Sequence, residues 1–314
     1  QNGDATSGDG DGSTWSETEI TTQANGALRA SAADIDGDGD MDVLSASFND
    51  DTITWYENAR IRNVVYVDPD ASGAGNGMSW TDAYPTLYDA LDALPAGAAE
   101  VWVASGTYNP DQGGSVTPGD RFASLVFPNT TFLYGGFDGT NGAGGGAQET
   151  QREQRNPNPS TNGTTFSGDQ GVQGFEPDDA FHVVTVESGA EVLIDGITVA
   201  DGLAERSETS NNQGAGILAG TGSRLTLRNA IIDDNETRGS GGGGAGIRSG
   251  GTLVLENVVL SNNDASGDGG GVLFGDGTFQ DVTATGNRAG GNGGALHGNG
   301  TFTNLVLQNN EASG

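Results

Sequence analysis

The chain has 314 residues, with 12 basic against 43 acidic side chains, a formal net charge of −31 and no cysteine. All 12 basic residues are arginines. We expect no nucleic acid or anionic membrane as partner, because binding either requires basic patches. The absence of cysteine excludes disulfides and thiolate metal sites. A lysine-free acidic surface stays hydrated where salt screens it, the Debye length being about 3 Å at 1 M. The composition indicates a halophile's protein, with any acidic secreted protein as the alternative.

The sequence also bounds the fold class and the location. No apolar run approaches the roughly 18 residues of a membrane span, and Gln1 opens no signal peptide. We therefore expect no membrane span, and an extracellular or cell-surface protein whose targeting segment has been removed. Only 33% of residues are hydrophobic and 55 are glycine. This combination favours an all-β fold of thin strands and many turns.

Residues 1–60 contain four short strand-like runs separated by turns. They read SETEITT, ALRASAADI, MDVLSASF and TITWYEN. Consecutive short strands of this kind predict one small four-stranded antiparallel sheet. Such a sheet needs neighbours, because a lone blade leaves both its faces and its edges uncovered.

The loop between the second and third runs reads DIDGDGDMD, residues 34–42. Oxygen ligands at alternate positions suit a hard cation, and the D-x-D-x-D-G spacing predicts a calcium site. The predicted roles are carboxylate ligands at Asp34, Asp36 and Asp38, a tight turn at Gly39, a backbone carbonyl ligand at Asp40 and a closing carboxylate at Asp42. The alternative is a solvated acidic turn. We interpret GDGDGS as a turn, because Asp9 and Asp11 lack a closing carboxylate.

The stretch AADIDGDGDMDVLSASFNDDTITWYEN resembles the FG-GAP/VCBS repeat over about 50 residues. Members of that family form blades of extracellular β-propellers and carry this calcium loop between strands. The resemblance implies a blade-like calcium module. Only one repeat is present, whereas a closed propeller needs roughly four to eight blades.

Residues 61–190 predict a second part. A strand and a glycine-rich loop precede a short helix whose Leu87, Ala90, Leu91 and Leu94 share one face. AEVWVASGTYNP and TTFLYGGFDGT read as buried strands, and the polar QETQREQRNPNPSTNGTT reads as an excursion from the stack. A helix ahead of stacked strands resembles the N-terminal cap of right-handed parallel β-helices.

Residues 191–314 repeat with a period of 23 to 28 residues, which is typical of a β-solenoid. Two polar ladders follow from the alignment: Asn229, Asn257, Asp281 and Asn304, and six residues later Asn235, Asn263, Asn287 and Asn310. Three inward stacks are predicted as well: Leu227, Leu255, Phe279 and Phe302; Ala230, Val258, Val282 and Leu305; and Ile232, Leu260, Ala284 and Leu307. Glycine-rich segments that end at Ile217, Ile247, Val272 and Leu296 are predicted to supply a third strand in each coil. Asparagine suits the corners because it tolerates left-handed backbone.

From about residue 63 to 314 the glycine and asparagine repeats resemble right-handed β-helix surface proteins of bacteria, such as the chlamydial polymorphic membrane proteins. The resemblance implies a right-handed parallel β-helix with a short N-terminal capping helix. It says little about activity, because this scaffold hosts adhesins, polysaccharide lyases and inert spacers.

Enzymes on this scaffold would need paired carboxylates or calcium-binding aspartates beside a basic residue. The candidate residues are Asp195, Asp201, Asp233, Asp234 and Asp264, with Arg224, Arg228 and Arg248. Turn chemistry and charge balance explain them more simply, so we assign no catalytic residue. His182 and His297 fit no metal or triad spacing. The aromatic residues Trp80, Trp102, Tyr108, Phe132 and Tyr134 could bind sugar, although core packing is the usual explanation.

The sequence therefore favours an extracellular structural or adhesive β-solenoid over a carbohydrate-active enzyme, which stays the alternative. NNEASG at the end aligns with NNDASG at 262–267, where that coil continues. We expect a fragment of a larger repeat protein or a filament subunit. The expected partners are neighbouring repeats or copies of the same protein, and a carbohydrate or cell-surface ligand.

Overall fold

The computed structural model describes residues 26–33, 35, 42–49, 51–56, 64–94, 98–141, 148–172, 174, 178–205, 212–239 and 241–314. The chain divides into two compact units, residues 1–61 and 62–314. Within the described residues, no helix has the length and apolar character needed to cross a membrane.

The first unit contains a three-stranded antiparallel sheet. Its strands are β1 (Ala27–Ala33), β2 (Asp42–Ser47) and β3 (Thr52–Tyr56), in that spatial order. The first of the four predicted strands, SETEITT, lies outside the described residues. One face of the sheet exposes apolar cross-strand pairs, Leu44 with Trp55 and Ala46 with Ile53.

The second unit is a parallel β-helix built from nineteen described strands. They are β4 (Val64–Val67), β5 (Ala99–Ala104), β6 (Gly106–Tyr108), β7 (Leu125–Phe127), β8 (Thr131–Phe137), β9 (Thr164–Ser167), β10 (Val184–Val186), β11 (Glu191–Ala200), β12 (Leu203–Ala204), β13 (Ile217–Ala219), β14 (Arg224–Asp233), β15 (Glu236–Thr237), β16 (Ile247–Ser261), β17 (Asp264–Ala265), β18 (Val272–Thr285), β19 (Arg288–Ala289), β20 (Leu296–Thr303), β21 (Val306–Gln308) and β22 (Glu311–Ala312). Two helices, α1 (Leu87–Asp92) and α2 (Pro159–Asn162), and the 3-10 turns Gly139–Asn141 and Arg152–Gln154 complete it.

All strand pairs of this unit are parallel, and successive coils pair in register. β11, β14, β16 and β18 follow one another in the main sheet, while the two-residue strands β12, β15, β17, β19 and β22 form a separate sheet along another side. β16 pairs with both β13 and β14, so one strand continues round a corner of the coil. The predicted all-β solenoid is confirmed.

The stacks expected from the repeat are in register, except that Leu305, expected to follow Ala230, Val258 and Val282, lies between β20 and β21 and belongs to no described strand pair. Leu227 pairs with Leu255, Leu255 with Phe279, and Phe279 with Phe302. Ile232, Leu260, Ala284 and Leu307 form a second column, and Ile217, Ile247, Val272 and Leu296 form a third. The members before the last coil are fully buried, because each coil covers the apolar side chains of the previous one.

The capping helix α1 begins at Thr86, whose Oγ1 accepts a hydrogen bond from the Asp89 backbone N–H at 3.3 Å. Leu87, Ala90 and Leu91 are buried in the core. α1 contacts β4 and β7, the first strands on two sides of the β-helix. It therefore covers apolar surface at the first coil.

The excursion predicted for residues 148–165 is wrong at its C-terminal end. Thr164 and Thr165 belong to β9, which pairs with β6 and β11 inside the stack. The preceding helix α2 contacts β8, β11 and β14, and the buried Asn162 side chain donates to the Gly196 carbonyl at 2.7 Å. The polar composition of the segment therefore serves hydrogen bonds to coil backbone rather than solvent alone.

Candidate functional site

A corner of the β-helix carries an acidic cavity. In successive coils the corner residue has left-handed backbone: Asp201, Asp234, Asn262, Gly286 and Asn309. Aspartate, asparagine and glycine tolerate this conformation better than other residues. Because Ala200 pairs with Asp233 in the preceding strands, the next residues, Asp201 and Asp234, lie side by side.

The cavity has a volume of about 240 Å³ and combines residues from several coils and one loop. Its acidic lining residues are Asp169, Asp179, Asp201, Asp234 and Glu236, and none of the lining residues in the described part of the chain is basic. Five carboxylates facing one cavity repel one another unless protons or cations compensate.

Two of these carboxyl groups have raised pKa values. Burial, followed by the negative charges of Asp169, Asp178 and Asp201, raises the pKa of Asp179 to about 7. Burial also raises the pKa of Asp201, although the Ser167 hydroxyl donates to its Oδ2 at 2.8 Å and opposes the shift. The cavity therefore retains protons more readily than isolated aspartates do.

Two buried side chains, one in the cavity lining and one next in sequence to it, have polar atoms without hydrogen-bond partners among the described residues. Asp179 is 8% exposed and its Oδ1 has no partner. Gln170, next in sequence to Asp169, is 1% exposed, and neither of its amide atoms has a partner. Such groups are rare in folded proteins and commonly mark the place of a water or an ion.

Two arginines of the described residues contact residues that line the cavity. Arg121 donates to Glu205 Oε1 at 2.5 Å and to the backbone carbonyls of Asp179 and Leu203. Arg238 donates to both carboxylate oxygens of Glu236. These contacts hold the rim of the cavity, where Glu236 receives two hydrogen bonds from Arg238.

A neighbouring cavity of about 420 Å³ shares Asp169 and Asp201 with the first. Its other polar lining residues include the neutral side chains Thr107, Asn109 and Ser167. The corner therefore combines an acidic region with hydroxyl and amide groups, which are suited to hydrogen-bonding polar ligands.

The structure separates the eight residues that the sequence offered for catalysis. Asp201 and Asp234 meet in the acidic cavity. Asp195 instead pairs with Arg155, and Asp233 accepts hydrogen bonds from Ser261 and Asn262. The remaining four lie elsewhere on the coils: Asp264 in β17, Arg224 near Glu191 at 3.7 Å, Arg228 with Glu256 at 2.7 Å and Arg248 with Gln213 at 3.1 Å.

The two histidines also lie apart. His182 is buried, with Nδ1 3.0 Å from the Gly214 carbonyl, and burial lowers its pKa. His297 Nδ1 lies 3.4 Å from Asp268 Oδ2. Within the described part of the chain, no three acidic or histidine side chains are placed to share one metal ion.

The two polar ladders join consecutive coils. Asn235, Asn263, Asn287 and Asn310 form a continuous chain in which each Nδ2 donates to the next Oδ1 at 2.9 to 3.0 Å. The Oδ1 atoms of Asn263, Asn287 and Asn310 also accept from the backbone N–H of the preceding asparagine, and Asn235 Oδ1 accepts from the Gly202 backbone N–H. The first three are buried, so the ladder pairs backbone groups at a corner that water does not reach.

The other ladder is more exposed and has left-handed backbone throughout. Its φ angles are 45° at Asn229, 54° at Asn257, 55° at Asp281 and 53° at Asn304. Asn257 Nδ2 donates to Asn229 Oδ1, and Asn304 Nδ2 donates to Asp281 Oδ1, both at 2.8 Å. These residues make a second column of coil-to-coil contacts.

Four residues of the predicted calcium loop, Asp34, Asp36, Asp38 and Asp40, lie outside the described residues. Asp42 is buried, and its Oδ2 accepts a hydrogen bond from the Ile35 backbone N–H at 2.9 Å. Calcium at this loop stays a prediction.

The aromatic residues considered for sugar binding are core residues. Trp80, Trp102, Tyr108 and Tyr134 are each at most 5% exposed, and Phe132 is partly buried. Trp102 stacks on Phe137 with ring centroids 4.7 Å apart. Packing therefore accounts for this cluster, and it offers no open sugar-binding face.

Sequence reasoning missed Asp169, Asp179 and Glu236. The sequence does contain a signal for the corner at which the cavity lies. The residues immediately before the buried-ladder asparagines are Asp234, Asn262, Gly286 and Asn309, all of types that tolerate left-handed backbone. Extending that column backwards leads to Asp201. Asp179 has no such signal, because it reaches the cavity from a loop.

Comparison with known proteins agrees with this architecture. No curated protein and no solved structure matches the chain. The stretch from residue 179 to residue 314, which contains the regular coils and both asparagine ladders, matches the family model described as the right handed beta helix region. A β-helix of this kind fits both structural or surface proteins and carbohydrate-active proteins.

Proposed function

We propose that this chain is an extracellular structural or adhesive β-helix protein of a halophile. The observation that carries the proposal is the buried ladder Asn235–Asn263–Asn287–Asn310, with each amide bonded to the next coil. Polar groups used in this way stiffen a long scaffold and are unavailable for chemistry. The acidic, lysine-free composition supports a saline environment.

Calcium binding by residues 34–42 belongs to the same proposal. The loop has the FG-GAP/VCBS-like spacing of acidic residues, and Asp42 already accepts the Ile35 backbone N–H. Calcium sites in extracellular modules have dissociation constants of about 10⁻⁴ to 10⁻³ M, which suits a protein outside the cell.

We also propose that the last described coil stacks on a further coil of the same repeat type. Phe302, Val306 and Leu307 are 42%, 42% and 54% exposed, although the residues in the same columns of earlier coils are largely buried or partly covered. Burying them recovers about 25 cal/mol per Å² of apolar surface. A second copy of the chain would supply that coil.

Light scattering and an activity assay together test the proposal. In molar salt with calcium we expect the full chain to form larger particles, and Leu307→Glu to reduce them, with Val126→Glu as the control on the exposed side of β7. Neutral and acidic polysaccharides should yield neither new reducing ends nor unsaturated products. Particles that stay monomeric and unaffected by Leu307→Glu would contradict the stacking, and polysaccharide cleavage would contradict the structural role.

The alternative function is that of a carbohydrate-active enzyme. One observation favours it: the acidic cavity adjoins a second cavity lined by hydroxyl and amide groups, and glycoside hydrolysis uses paired carboxylates. In that case the same polysaccharide assay would detect cleavage, and Asp201→Asn would abolish it. Cleavage that survives Asp201→Asn would assign the activity to another site.

A further inference from the structure

A second kind of pocket lies beside α2 on the outer face of the β-helix. Its volume is about 410 Å³, and it is lined by residues 157–160 together with residues of β14 and β16. No lining residue in the described part of the chain is charged, although the protein carries 43 acidic and 12 basic residues. Depletion of charge is a feature of the centres of many recognition surfaces. We call this uncharged site the α2 pocket.

The lining of the α2 pocket combines apolar surface with unused hydrogen-bonding groups. Its apolar lining residues are Pro157, Pro159, Ala230, Ile231 and Val259. Asn158 Oδ1 accepts from the Ser160 backbone N–H, and Asn257 Nδ2 donates to Asn229 Oδ1. This leaves Asn158 Nδ2, Asn257 Oδ1 and the Ser160 hydroxyl without a partner among the described residues, and all three residues are exposed. The pocket therefore offers a donor, an acceptor and a hydroxyl to a ligand.

Contacts behind the α2 pocket hold its walls in place. Asn229 Nδ2 donates to Asp195 Oδ1, and Arg155 Nη2 lies 2.8 Å from Asp195 Oδ2, which compensates that carboxylate. On the other wall, the buried Asn162 side chain donates to the Gly196 carbonyl at 2.7 Å. A fixed pocket lowers the ordering cost of binding. The volume also falls in the range of about 300 to 1,000 Å³ that is usual for ligand pockets.

The chemistry of the α2 pocket narrows the class of ligand. β14 pairs with β11 and β16, and β16 also pairs with β18, so a peptide cannot add to either strand in the usual edge-pairing mode. The described lining provides no charge to pair with a phosphate, a carboxylate or an ammonium group. A neutral sugar matches what remains, because its hydroxyls bond to amides and hydroxyls while its C–H faces pack on aliphatic side chains.

We propose that the α2 pocket binds a neutral segment of a polysaccharide. The C–H faces of the sugar rings lie on Ile231 and Val259, and their hydroxyls bond to Asn158, Ser160 and Asn257. The proposal rests on the adhesive role proposed above, to which it gives a class of ligand and a site. The pocket lies apart from the aromatic core cluster and shares no lining residue with the acidic corner cavity.

An NMR titration of the ¹⁵N-labelled full chain tests this binding. The probes are three neutral oligosaccharides, cellohexaose, mannohexaose and maltohexaose. The comparison ligands are hexagalacturonate, which is acidic, and a hexapeptide of alternating glycine and serine with blocked ends. We expect saturable shifts with at least one neutral probe, including the side-chain amide signals of Asn158 and Asn257, and binding of both comparison ligands that is weaker by about tenfold or more.

Matched substitutions locate the sugar. Val259→Glu places a charge against the ring face and should weaken binding by about tenfold or more. Val254→Glu makes the same change at another partly exposed position of β16, outside the pocket, and should leave the affinity within about twofold. Asn257→Gly and Ser160→Ala each remove one hydrogen-bonding group and should weaken binding by about threefold to tenfold. These two variants keep the test decisive if circular dichroism shows that Val259→Glu does not fold.

Three results would overturn the proposal. They are the absence of saturable shifts with all three neutral probes, equally tight binding of hexagalacturonate or the peptide, and unchanged affinity in Asn257→Gly and Ser160→Ala. Light scattering of the unsubstituted chain and of Leu307→Glu measures stacking independently of sugar. Failure to bind sugar would therefore leave the structural role standing, and loss of stacking would leave the sugar measurement standing.

Discussion

Arg155 Nη2 lies 2.8 Å from Asp195 Oδ2, and both side chains are less than one-tenth exposed. The other carboxylate oxygen of Asp195 accepts Asn229 Nδ2 at 2.8 Å, and Asn229 in turn accepts from Asn257. Arg155 belongs to the segment between β8 and β9, far in sequence from the ladder. The ion pair therefore fastens this segment to the beginning of the exposed polar column.

Removing Arg155 should destabilise the β-helix strongly. Arg155→Met leaves the Asp195 carboxylate buried with only its amide contact, and breaking a buried pair in this way costs about 3 kcal/mol or more. The control is Arg224→Met, because Arg224 and Glu191 are more than half exposed and 3.7 Å apart, and exposed pairs contribute about 0 to 1 kcal/mol. Denaturant unfolding measures both changes, and equal losses would contradict a structural role for the buried pair.

The buried ladder should matter more than the exposed one. Asn263→Ala removes the acceptor of the Asn235 backbone N–H and side chain, and the donor to the Ile232 carbonyl. Each group left without a partner costs about 1 to 3 kcal/mol. Asn257→Gly removes one exposed side-chain contact and keeps the left-handed backbone, so its cost should be about 1 kcal/mol or less. Thermal melting compares them, and the reverse order would refute this ranking.

One glycine of the third-strand turn should be irreplaceable. Gly244 has φ of 59°, and a Cβ there would lie 2.4 Å from the Ile247 carbonyl oxygen. Gly222 also has positive φ, at 71°, but a Cβ there meets nothing within 4 Å. Gly222→Ala should therefore cost only the backbone term, about 1 kcal/mol, and Gly244→Ala distinctly more. Similar melting temperatures for the two variants would show that the turn can shift to accommodate a methyl group.

His182 should make stability fall in mild acid. Burial lowers its pKa below the usual 6.5, so the folded state holds the neutral ring while the unfolded state takes up a proton. Its contribution is fully present above pH 6.5 and declines as the pH falls through 6.5 towards the folded-state pKa. His182→Gln removes this dependence. Urea unfolding of both proteins at several pH values should show their difference in free energy shrinking in acid, whereas a constant difference would contradict a neutral buried ring.

Calcium should stabilise the first unit through residues 34–42. At 100 times its dissociation constant, a ligand contributes about 2.7 kcal/mol by mass action. Chelation should therefore speed hydrogen exchange in β1, β2 and β3, and Asp38→Ala should do the same without chelator. Asp11→Ala, in the acidic turn without a closing carboxylate, is the matched control. Exchange that is unchanged by both chelation and Asp38→Ala would reduce the loop to a solvated turn.

The repeats made the solenoid predictable. A residue that recurs once per coil must stack on its counterpart, so the alignment of Leu227, Leu255, Phe279 and Phe302 already specified strand register. The left-handed backbone of the ladder from Asn229 to Asn304 followed from asparagine chemistry in the same way. In the other ladder the expectation was wrong, because the residue before each asparagine is left-handed and the asparagine itself is not. The segment before β9 was harder, because its polar residues gave no hint that Arg155 and Asn162 would bond to coil backbone.

The sequence by itself determined the class of fold, the register between successive coils and the ladder residues. All three depend on a local pattern that is repeated at a fixed interval. Only the tertiary structure decided the acidic cavity. Asp169, Asp179 and Asp201 come from different turns of the chain, and their proximity depends on how a loop lies against two coils. The raised pKa of Asp179 likewise requires burial and neighbouring charges, which are properties of the folded arrangement rather than of any short stretch of sequence.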